Sequence, residues 1–107
     1  MIIYLASPYS NPDEKIREEN YRIVSQKAAE LVAEGNVVIS PITYGHTLLS
    51  FKDMPGDWEF WKNFCIEILD KCDELYVYQM PGWEESKGVK EEIEFAKNKK
   101  IKITYIN

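Results

Sequence analysis

The chain has 107 residues, of which 18 are acidic and 13 basic, and its net charge is −5 at pH 7. This length suits a single domain over residues 1–107 and excludes a TIM barrel, which needs about 250 residues. The acidic balance argues against a nucleic-acid polymer or an anionic membrane as partner, because basic surfaces bind both. The hydrophobic fraction of 45% is typical of a globular protein.

The chain has two cysteines, Cys65 and Cys72. On a helix, residues seven positions apart would be separated by about 10 Å, which is too far for a disulfide. No Cys-x-x-Cys pair or His/Cys cluster indicates a metal site. No apolar run reaches the roughly 18 residues of a membrane span, and no secretory segment follows Met1. We therefore expect a cytoplasmic protein without a bound metal.

The first half of the chain begins with a buried strand. Ile2–Ala6 is a continuous apolar run, which is typical of a strand that is buried on both faces. Asn11 followed by Pro12 indicates a helix start with Asn11 as the N-cap. Gly35 is expected to end this helix in a left-handed conformation. Residues 37–39 form the second predicted strand.

The second half continues the alternation of helices and strands. Residues 43–56 are polar and aromatic, and they are interpreted as a long connection of the kind that is often functional. Residues 57–71 have the spacing of an amphipathic helix, and residues 75–78 form the third strand. A third helix is expected over residues 86–99, followed by a strand over residues 101–106.

The element order β-α-β-α-β-α-β predicts an α/β fold with a four-stranded parallel sheet of order 2-1-3-4. Helices are expected on both faces, joined by right-handed crossovers. Ligands of such sheets bind at the carboxyl ends of the strands. Functional residues are therefore expected within residues 7–10, 40–46 and 79–88.

One glutamate of the third predicted helix lies on the apolar face of that helix. At 100° per residue, Glu92 lies about 60° from Val89 and inside the arc that Ile93 and Ala96 complete, whereas Glu91 and Glu94 point away. A carboxylate there is costly unless it is paired or used, and a nucleophile or a general base needs such a group. The alternative is a side chain at the edge of the face that reaches water or backbone amides.

Several other residues have both a functional and a structural interpretation. Ser86, Lys87 and Gly88 offer backbone N–H groups at a helix start, which suits an anion but also an ordinary cap. His46 is the only histidine, and it is placed in the loop near the strand ends, where it binds a ligand or lies exposed. Trp83 follows the third strand, where it is a candidate wall of the site.

Aromatic residues recur in the same part of the chain. Tyr9 and Tyr44 suit stacking on a base, although tyrosines in such loops often only pack. Residues 57–61 (DWEFW) either cover a pocket or contribute to the core or to an interface.

Three segments together resemble one known superfamily. Residues 4–9 (YLASPY), 72–77 (CDELYV) and 86–96 (SKGVKEEIEFA) resemble the opening strand, the third strand and the helix motif of nucleoside 2-deoxyribosyltransferase-like proteins. Residues 40–46 are most similar to a small bacterial and phage branch, which is related to deoxynucleoside 5′-monophosphate N-glycosidases. The resemblance covers nearly the whole chain.

The resemblance implies a flavodoxin-like, Rossmann-like three-layer fold and cleavage or transfer at the N-glycosidic bond of a (deoxy)nucleoside or its 5′-monophosphate, without a cofactor. By position Glu92 matches the nucleophile, Asp73 an acid near the base or in the active-site network, and Tyr9 a group that contacts the sugar or the nucleophile. Asp73 or Tyr9 is expected to assist the leaving base or to orient Glu92. Ser86 matches a residue that holds phosphate. The further residues expected to bind substrate are Ser7, Ser10, His46, Trp83 and Gly88.

The chain departs from the superfamily pattern at two positions. Glu94 replaces a small residue, and Ser86 replaces the Asp of many transferases. These departures favour an alternative, a non-catalytic nucleotide-binding or sensing module of the same fold. A third interpretation is a structural subunit that pairs through its tryptophan-rich helix. The short chain leaves few loops to close a pocket, so we expect a homo-oligomer, a dimer or larger.

Overall fold

The computed structural model describes residues 1–107. Four strands and four helices follow one another along the chain: β1 (Ile2–Ala6), α1 (Glu14–Ala33), β2 (Val37–Ile39), α2 (Pro41–Leu49), α3 (Trp58–Asp70), β3 (Glu74–Tyr78), α4 (Lys87–Lys99) and β4 (Lys102–Ile106). A single 3₁₀ turn, Trp83–Glu85, precedes α4. None of the helices combines the length and apolar character that crossing a bilayer requires.

The four strands form one parallel sheet in the order β2-β1-β3-β4, which confirms the predicted α/β fold and strand order. β1 lies between β2 and β3, with Ile3 opposite both Val38 and Glu74. A strand with neighbours on both sides and helices above and below it has no polar face, which explains its apolar run. Four of its five residues are buried.

The helices cover the sheet from both sides. α3 and α4 pack against each other over a core cluster that includes Tyr4, Leu75 and Val89. α1 contacts β2 and α2. The connection through α1 runs along the sheet in the opposite direction to the one through α4, so right-handed crossovers place these helices on opposite faces. The result is the three-layer arrangement of a flavodoxin-like fold.

The start of α1 differs from the prediction. Asp13, and not Asn11, is the N-cap, and its carboxylate accepts a hydrogen bond from the backbone N–H of Lys15 at 2.9 Å. Asn11 instead accepts from the N–H of Asp13, so it shapes the turn before the helix. The expectation for Gly35 is confirmed, because its φ of 99° is left-handed.

The largest departure from the prediction is α2, because this helix includes residues 43–49 of the long connection predicted over residues 43–56. Ser40 is the N-cap of this helix, and its hydroxyl accepts from the N–H of Thr43 at 3.2 Å. Pro41 occupies the first turn, where its missing N–H is harmless. His46 therefore lies on a helix and not in a loop, which fixes the direction of its ring.

Candidate functional site

A cavity of about 290 Å³ opens at the carboxyl end of β1. Residues from β1 and the loop after it form its floor, α2 and the start of α3 form two sides, and the first turns of α4 form the third. This is the position at which parallel α/β sheets bind ligands. Seven of the predicted site residues line it, namely Ser7, Tyr9, Ser10, His46, Ser86, Gly88 and Glu92.

Glu92 lies in the wall of this cavity and is only 5% exposed, which confirms its predicted inward direction. α4 determines that direction, because Val89 and Ala96 on the same face are buried in the core. The hydroxyl of Tyr4 donates a hydrogen bond to Oε2 of Glu92. Tyr4 belongs to β1 and is completely buried, so the sheet and α4 together hold this pair.

Burial dominates the protonation chemistry of the pair. It raises the pKa of Glu92 to about 8, against the smaller opposing effect of the bond from Tyr4. The pKa of Tyr4 lies well above its usual value because of burial and then the charge of Glu92. Burial also raises the pKa of the neighbouring Cys65 thiol to about 12. Glu92 is therefore the group of this trio that titrates near neutral pH.

Ser7 directly follows β1 and is a second buried polar residue of the cavity. It is 5% exposed, and its hydroxyl has no hydrogen-bond partner within the protein. Buried hydroxyls are nearly always paired, because an unpaired one costs about 1–3 kcal/mol. Ser7 lines the cavity, so a ligand in the cavity is in a position to satisfy it.

The first turn of α4 combines a cap with a close packing contact. The Ser86 hydroxyl accepts a hydrogen bond from the N–H of Val89 at 3.2 Å, so it acts as the N-cap. A side chain at Gly88 would place its Cβ 3.0 Å from the indole of Trp58. Lys87 forms an ion pair with Glu59 at 2.6 Å, which joins α4 to α3.

Two tryptophans of α3 line the cavity opposite the sheet. Trp58 and Trp61 both face it, and the indole N–H of Trp61 donates to the carbonyl of Pro55 at 2.8 Å. The same side chains also pack against the core cluster. Both interpretations of residues 57–61 therefore apply to these two tryptophans, which form flat apolar walls for a planar ligand.

A second hydrogen-bonded group lies on the other side of the cavity. The hydroxyl of Tyr9 is 2.8 Å from Nδ1 of His46, and Nε2 of the same ring is 2.7 Å from Oε2 of Glu18. Tyr21 stacks on the imidazole, with ring centroids 4.0 Å apart. Burial raises the pKa of Tyr9, with a smaller opposing effect from Arg17.

Two of the predicted site residues lie away from the cavity. Asp73 sits at the amino end of β3, where its carboxylate accepts from the N–H of Ile2 at 2.7 Å. This is the end of the sheet opposite the cavity, because parallel strands place all their amino ends together. Trp83 packs against Tyr105 of β4 and does not line the cavity. Asp73 thus stabilises the sheet edge, and Trp83 covers β4.

Tyr4 is a residue of the site that the sequence pattern did not indicate. Its position within an apolar run indicated only a strand, and its partner Glu92 is 88 residues away. A signal was nevertheless present, because a tyrosine in a strand that is buried on both faces needs a partner for its hydroxyl. An inward-facing carboxylate on a neighbouring helix was the natural candidate.

No cluster of three or more His, Cys, Asp or Glu side chains has the arrangement of a metal site. The candidate site is therefore described by its carboxyl, hydroxyl, imidazole and indole groups.

Comparison with known proteins identifies the family but not an activity. The sequence model of a family described as "domain of unknown function (DUF1937)" matches residues 1–107. No curated protein matches the chain. Because the match extends over every residue of the chain, the protein belongs to the DUF1937 family.

Proposed function

We propose that this protein cleaves or transfers at the N-glycosidic bond of a (deoxy)nucleoside or its 5′-monophosphate, with Glu92 as the nucleophile. One observation carries the proposal: a buried carboxyl faces a ligand-sized cavity at the carboxyl ends of the strands. A buried carboxyl there is expensive for the fold, and chemistry is the usual reason to keep one. The resemblance of residues 4–9 and 86–96 to the deoxyribosyltransferase-like superfamily agrees with this role.

In the proposed reaction Glu92 attacks the anomeric carbon of the sugar. Tyr4 donates to Oε2 and so holds the carboxylate in one orientation, which leaves Oε1 to form the new bond. The base departs with the electron pair of the C–N bond. Water or a second base then attacks the glycosyl-enzyme and restores the free carboxylate. The two glutamate oxygens thus have separate tasks, one for orientation and one for bonding.

The cavity suits the size and shape of a nucleoside. At about 290 Å³ it lies at the small end of ligand pockets, which start near 300 Å³. Trp58 and Trp61 supply faces on which a base can stack. Ser7 supplies a hydroxyl that lacks a partner.

Charge at the mouth bears on the choice between a nucleoside and its monophosphate. The backbone N–H groups at the start of α4 favour an anion. Asp57 and Glu85 also line the cavity, and Lys87 is already paired with Glu59. These carboxylates oppose a phosphate, so the charge pattern favours the uncharged nucleoside.

The expected homo-oligomer remains part of the proposal. Three large apolar side chains are at least half exposed, namely Tyr44 of α2, Phe51 of the segment between α2 and α3, and Phe60 of α3. Exposed aromatic residues are enriched in subunit interfaces. Light scattering coupled to gel filtration would measure the mass directly, and a mass of 12.5 kDa would contradict the expectation.

The test incubates the protein with a panel of deoxynucleosides and their 5′-monophosphates and measures the free base by chromatography. We expect the wild type to release base and Glu92→Gln to be slower by on the order of 10³-fold or more. Glu94→Gln is the matched control, because Glu94 is an exposed residue of the same helix. Full activity of Glu92→Gln would overturn the assignment of the nucleophile.

The pH dependence provides an independent check. Only the ionised carboxylate is a nucleophile, and the pKa of Glu92 is about 8. On the acid side of that pKa the rate of the wild type should therefore rise with pH. A rate that does not rise between about pH 5 and pH 6 would contradict attack by Glu92.

The same pKa favours a second candidate function, a non-catalytic nucleoside-binding or sensing module. At neutral pH Glu92 is mostly protonated, and a protonated carboxyl donates a hydrogen bond instead of attacking. This candidate predicts no base release from any substrate, while a nucleoside still raises the melting temperature.

A further inference from the structure

The hydrogen-bonded group on the outer side of the cavity forms a continuous path from the cavity to solvent. Tyr9 and His46 line both the main cavity and an open groove beside it. Glu18 lines only the groove, and its side chain is 44% exposed. The path from Tyr9 through His46 to Glu18 therefore begins at the cavity and ends in solvent.

Each bond in this path is short enough to transmit a proton. The Tyr9 hydroxyl is 2.8 Å from Nδ1 of His46, and Nε2 is 2.7 Å from the Glu18 carboxylate. The ring cannot turn freely, because Tyr21 stacks on one face and α2 carries the histidine. Both ring nitrogens thus have a fixed partner.

The Glu18 carboxylate determines which nitrogen of the ring holds the proton. A carboxylate only accepts, so Nε2 must carry a hydrogen whether the ring is neutral or charged. In the neutral ring Nδ1 is then an acceptor, and the Tyr9 hydroxyl donates to it. In the charged ring Nδ1 donates to the Tyr9 oxygen, which turns the Tyr9 hydrogen towards the cavity. Protonation of His46 thereby changes Tyr9 from an acceptor into a donor at the ligand.

We propose that Tyr9 is the acid that protonates the leaving base, and that His46, held by Glu18, resupplies its proton. This inference rests on the proposed function. As the C–N bond breaks, its electron pair leaves with the base. A ring nitrogen of the base takes the Tyr9 proton, Tyr9 takes the Nδ1 proton of His46, and Glu92 bonds to the sugar.

The second half of the cycle restores the proton. When water hydrolyses the glycosyl-enzyme, its oxygen bonds to the sugar, one hydrogen stays on the new hydroxyl and the other is released. His46 regains one proton from solvent through the groove, so the net reaction consumes one water. Tyr9 is the catalytic residue here, and His46 and Glu18 are positioning residues that act through it.

The charges around the path are compatible with this role. All four ionised residues of the groove come from the first turns of α1, namely Glu14, Lys15, Arg17 and Glu18. Among them Glu18 contacts the imidazole through Oε2, and its Oε1 lies 3.6 Å from Nε of Arg22. Arg17 instead donates to the backbone carbonyl of Asn11, so it fixes the loop that carries Tyr9.

The test compares two leaving groups. Deoxynucleosides need an acid to release the base, whereas 4-nitrophenyl 2-deoxyriboside releases a stable phenolate without one. For Tyr9→Phe we expect kcat on the deoxynucleoside to fall by about 10²–10⁴-fold and kcat on the aryl glycoside to change by less than about tenfold. His46→Gln should show the same contrast, and Tyr105→Phe, which alters an exposed tyrosine of β4 outside the cavity, should change neither rate.

Equal losses on both substrates would reduce Tyr9 to a structural role and overturn the inference while leaving Glu92 as nucleophile. A wild type that releases neither leaving group would overturn the proposed function as well. Nitrogen NMR of the single histidine checks the path without turnover. The neutral ring should carry its proton on Nε2, Glu18→Ala should give a mixture of tautomers, and a proton held on Nδ1 in the wild type would contradict the path.

Discussion

Two tyrosines serve the same cavity in different surroundings. Tyr4 is completely buried and donates to a carboxyl that is also buried. Tyr9 is half-buried and pairs with His46, whose other nitrogen meets a carboxylate open to solvent. We refer to Tyr4 and Glu92 as the inner pair and to Tyr9, His46 and Glu18 as the outer path.

The difference lies in where charge can go. A charge on the inner pair has no water around it, so burial moves the pKa of Glu92 up to about 8. The outer path instead ends at the Glu18 carboxylate, which is open to solvent in the groove. The inner pair is thus suited to keep the Glu92 carboxyl available for a reaction. The outer path is suited to exchange protons with solvent. Four predictions test this contrast, beginning with the largest expected effect.

The first prediction concerns the pH dependence of stability. Because the pKa of Glu92 is about 8 in the folded protein and ordinarily 4.5, the folded state retains a proton in this window that the unfolded chain has released. The free energy of unfolding therefore falls as pH rises through the window, by on the order of 5 kcal/mol in total. Glu92→Gln removes this dependence because it stays neutral.

Urea denaturation at pH 5 and pH 8.5 measures the effect. Between pH 5 and pH 8.5 the free energy of unfolding of Glu92→Gln should rise by several kcal/mol relative to that of the wild type. The relative rise is about 1.4 kcal/mol for each pH unit within the window. Glu94→Gln is again the control, because it alters an exposed glutamate of the same helix. Parallel stability curves for wild type and Glu92→Gln would contradict the burial of an ionisable Glu92.

The second prediction compares the two hydroxyls directly. Tyr4→Phe leaves Glu92 buried without its hydrogen bond, which should reduce the free energy of unfolding by about 1–3 kcal/mol. Tyr9→Phe should reduce it by less than about 1 kcal/mol, because solvent in the groove can replace the lost partner of His46. Urea denaturation of both variants at the same pH gives the two values. An equal cost would mean that the inner pair and the outer path are similarly hydrated.

The third prediction perturbs the packing beside the inner pair. In Gly88→Ala the new Cβ would lie 3.0 Å from the Trp58 ring, so the indole or the helix must move. Overpacking of this kind should outweigh the helix preference of Ala and reduce the free energy of unfolding by about 1 kcal/mol. Tryptophan fluorescence should change at the same time. A more stable variant with unchanged fluorescence would mean that the wall beside Glu92 is loosely packed.

The inner pair also separates what the sequence could predict from what it could not. The inward direction of Glu92 followed from helical periodicity, which is a local property of residues 87–99. Its partner Tyr4 is 88 residues away and became evident only once β1 and α4 were packed together. The same holds for the outer path, where Glu18 and His46 come from different helices.

The strand order was predictable because alternating strands and helices allow few arrangements with right-handed crossovers.

The helix α2 was not predicted because Pro41, Thr43 and Gly45 are weak helix formers, and its residues lack the charged face of a surface helix. Ser40 followed by Pro41 was the usable signal, since it pairs an N-cap with a favourable first-turn residue. Asp73 was assigned through a resemblance, and a resemblance does not carry the geometry of a particular chain.

The last prediction defines the edge of the site by a residue that belongs to neither tyrosine's surroundings. Asp73 accepts a hydrogen bond from the N–H of Ile2 at the amino end of the sheet, and the cavity lies at the carboxyl end. Asp73→Asn retains an oxygen acceptor and should reduce the free energy of unfolding by less than about 1 kcal/mol. Base release should stay within about twofold of the wild type, because no reacting atom is near. A large loss of kcat with unchanged stability would mean that residues at the amino end of the sheet affect the chemistry, and the proposed site would then have to include Asp73.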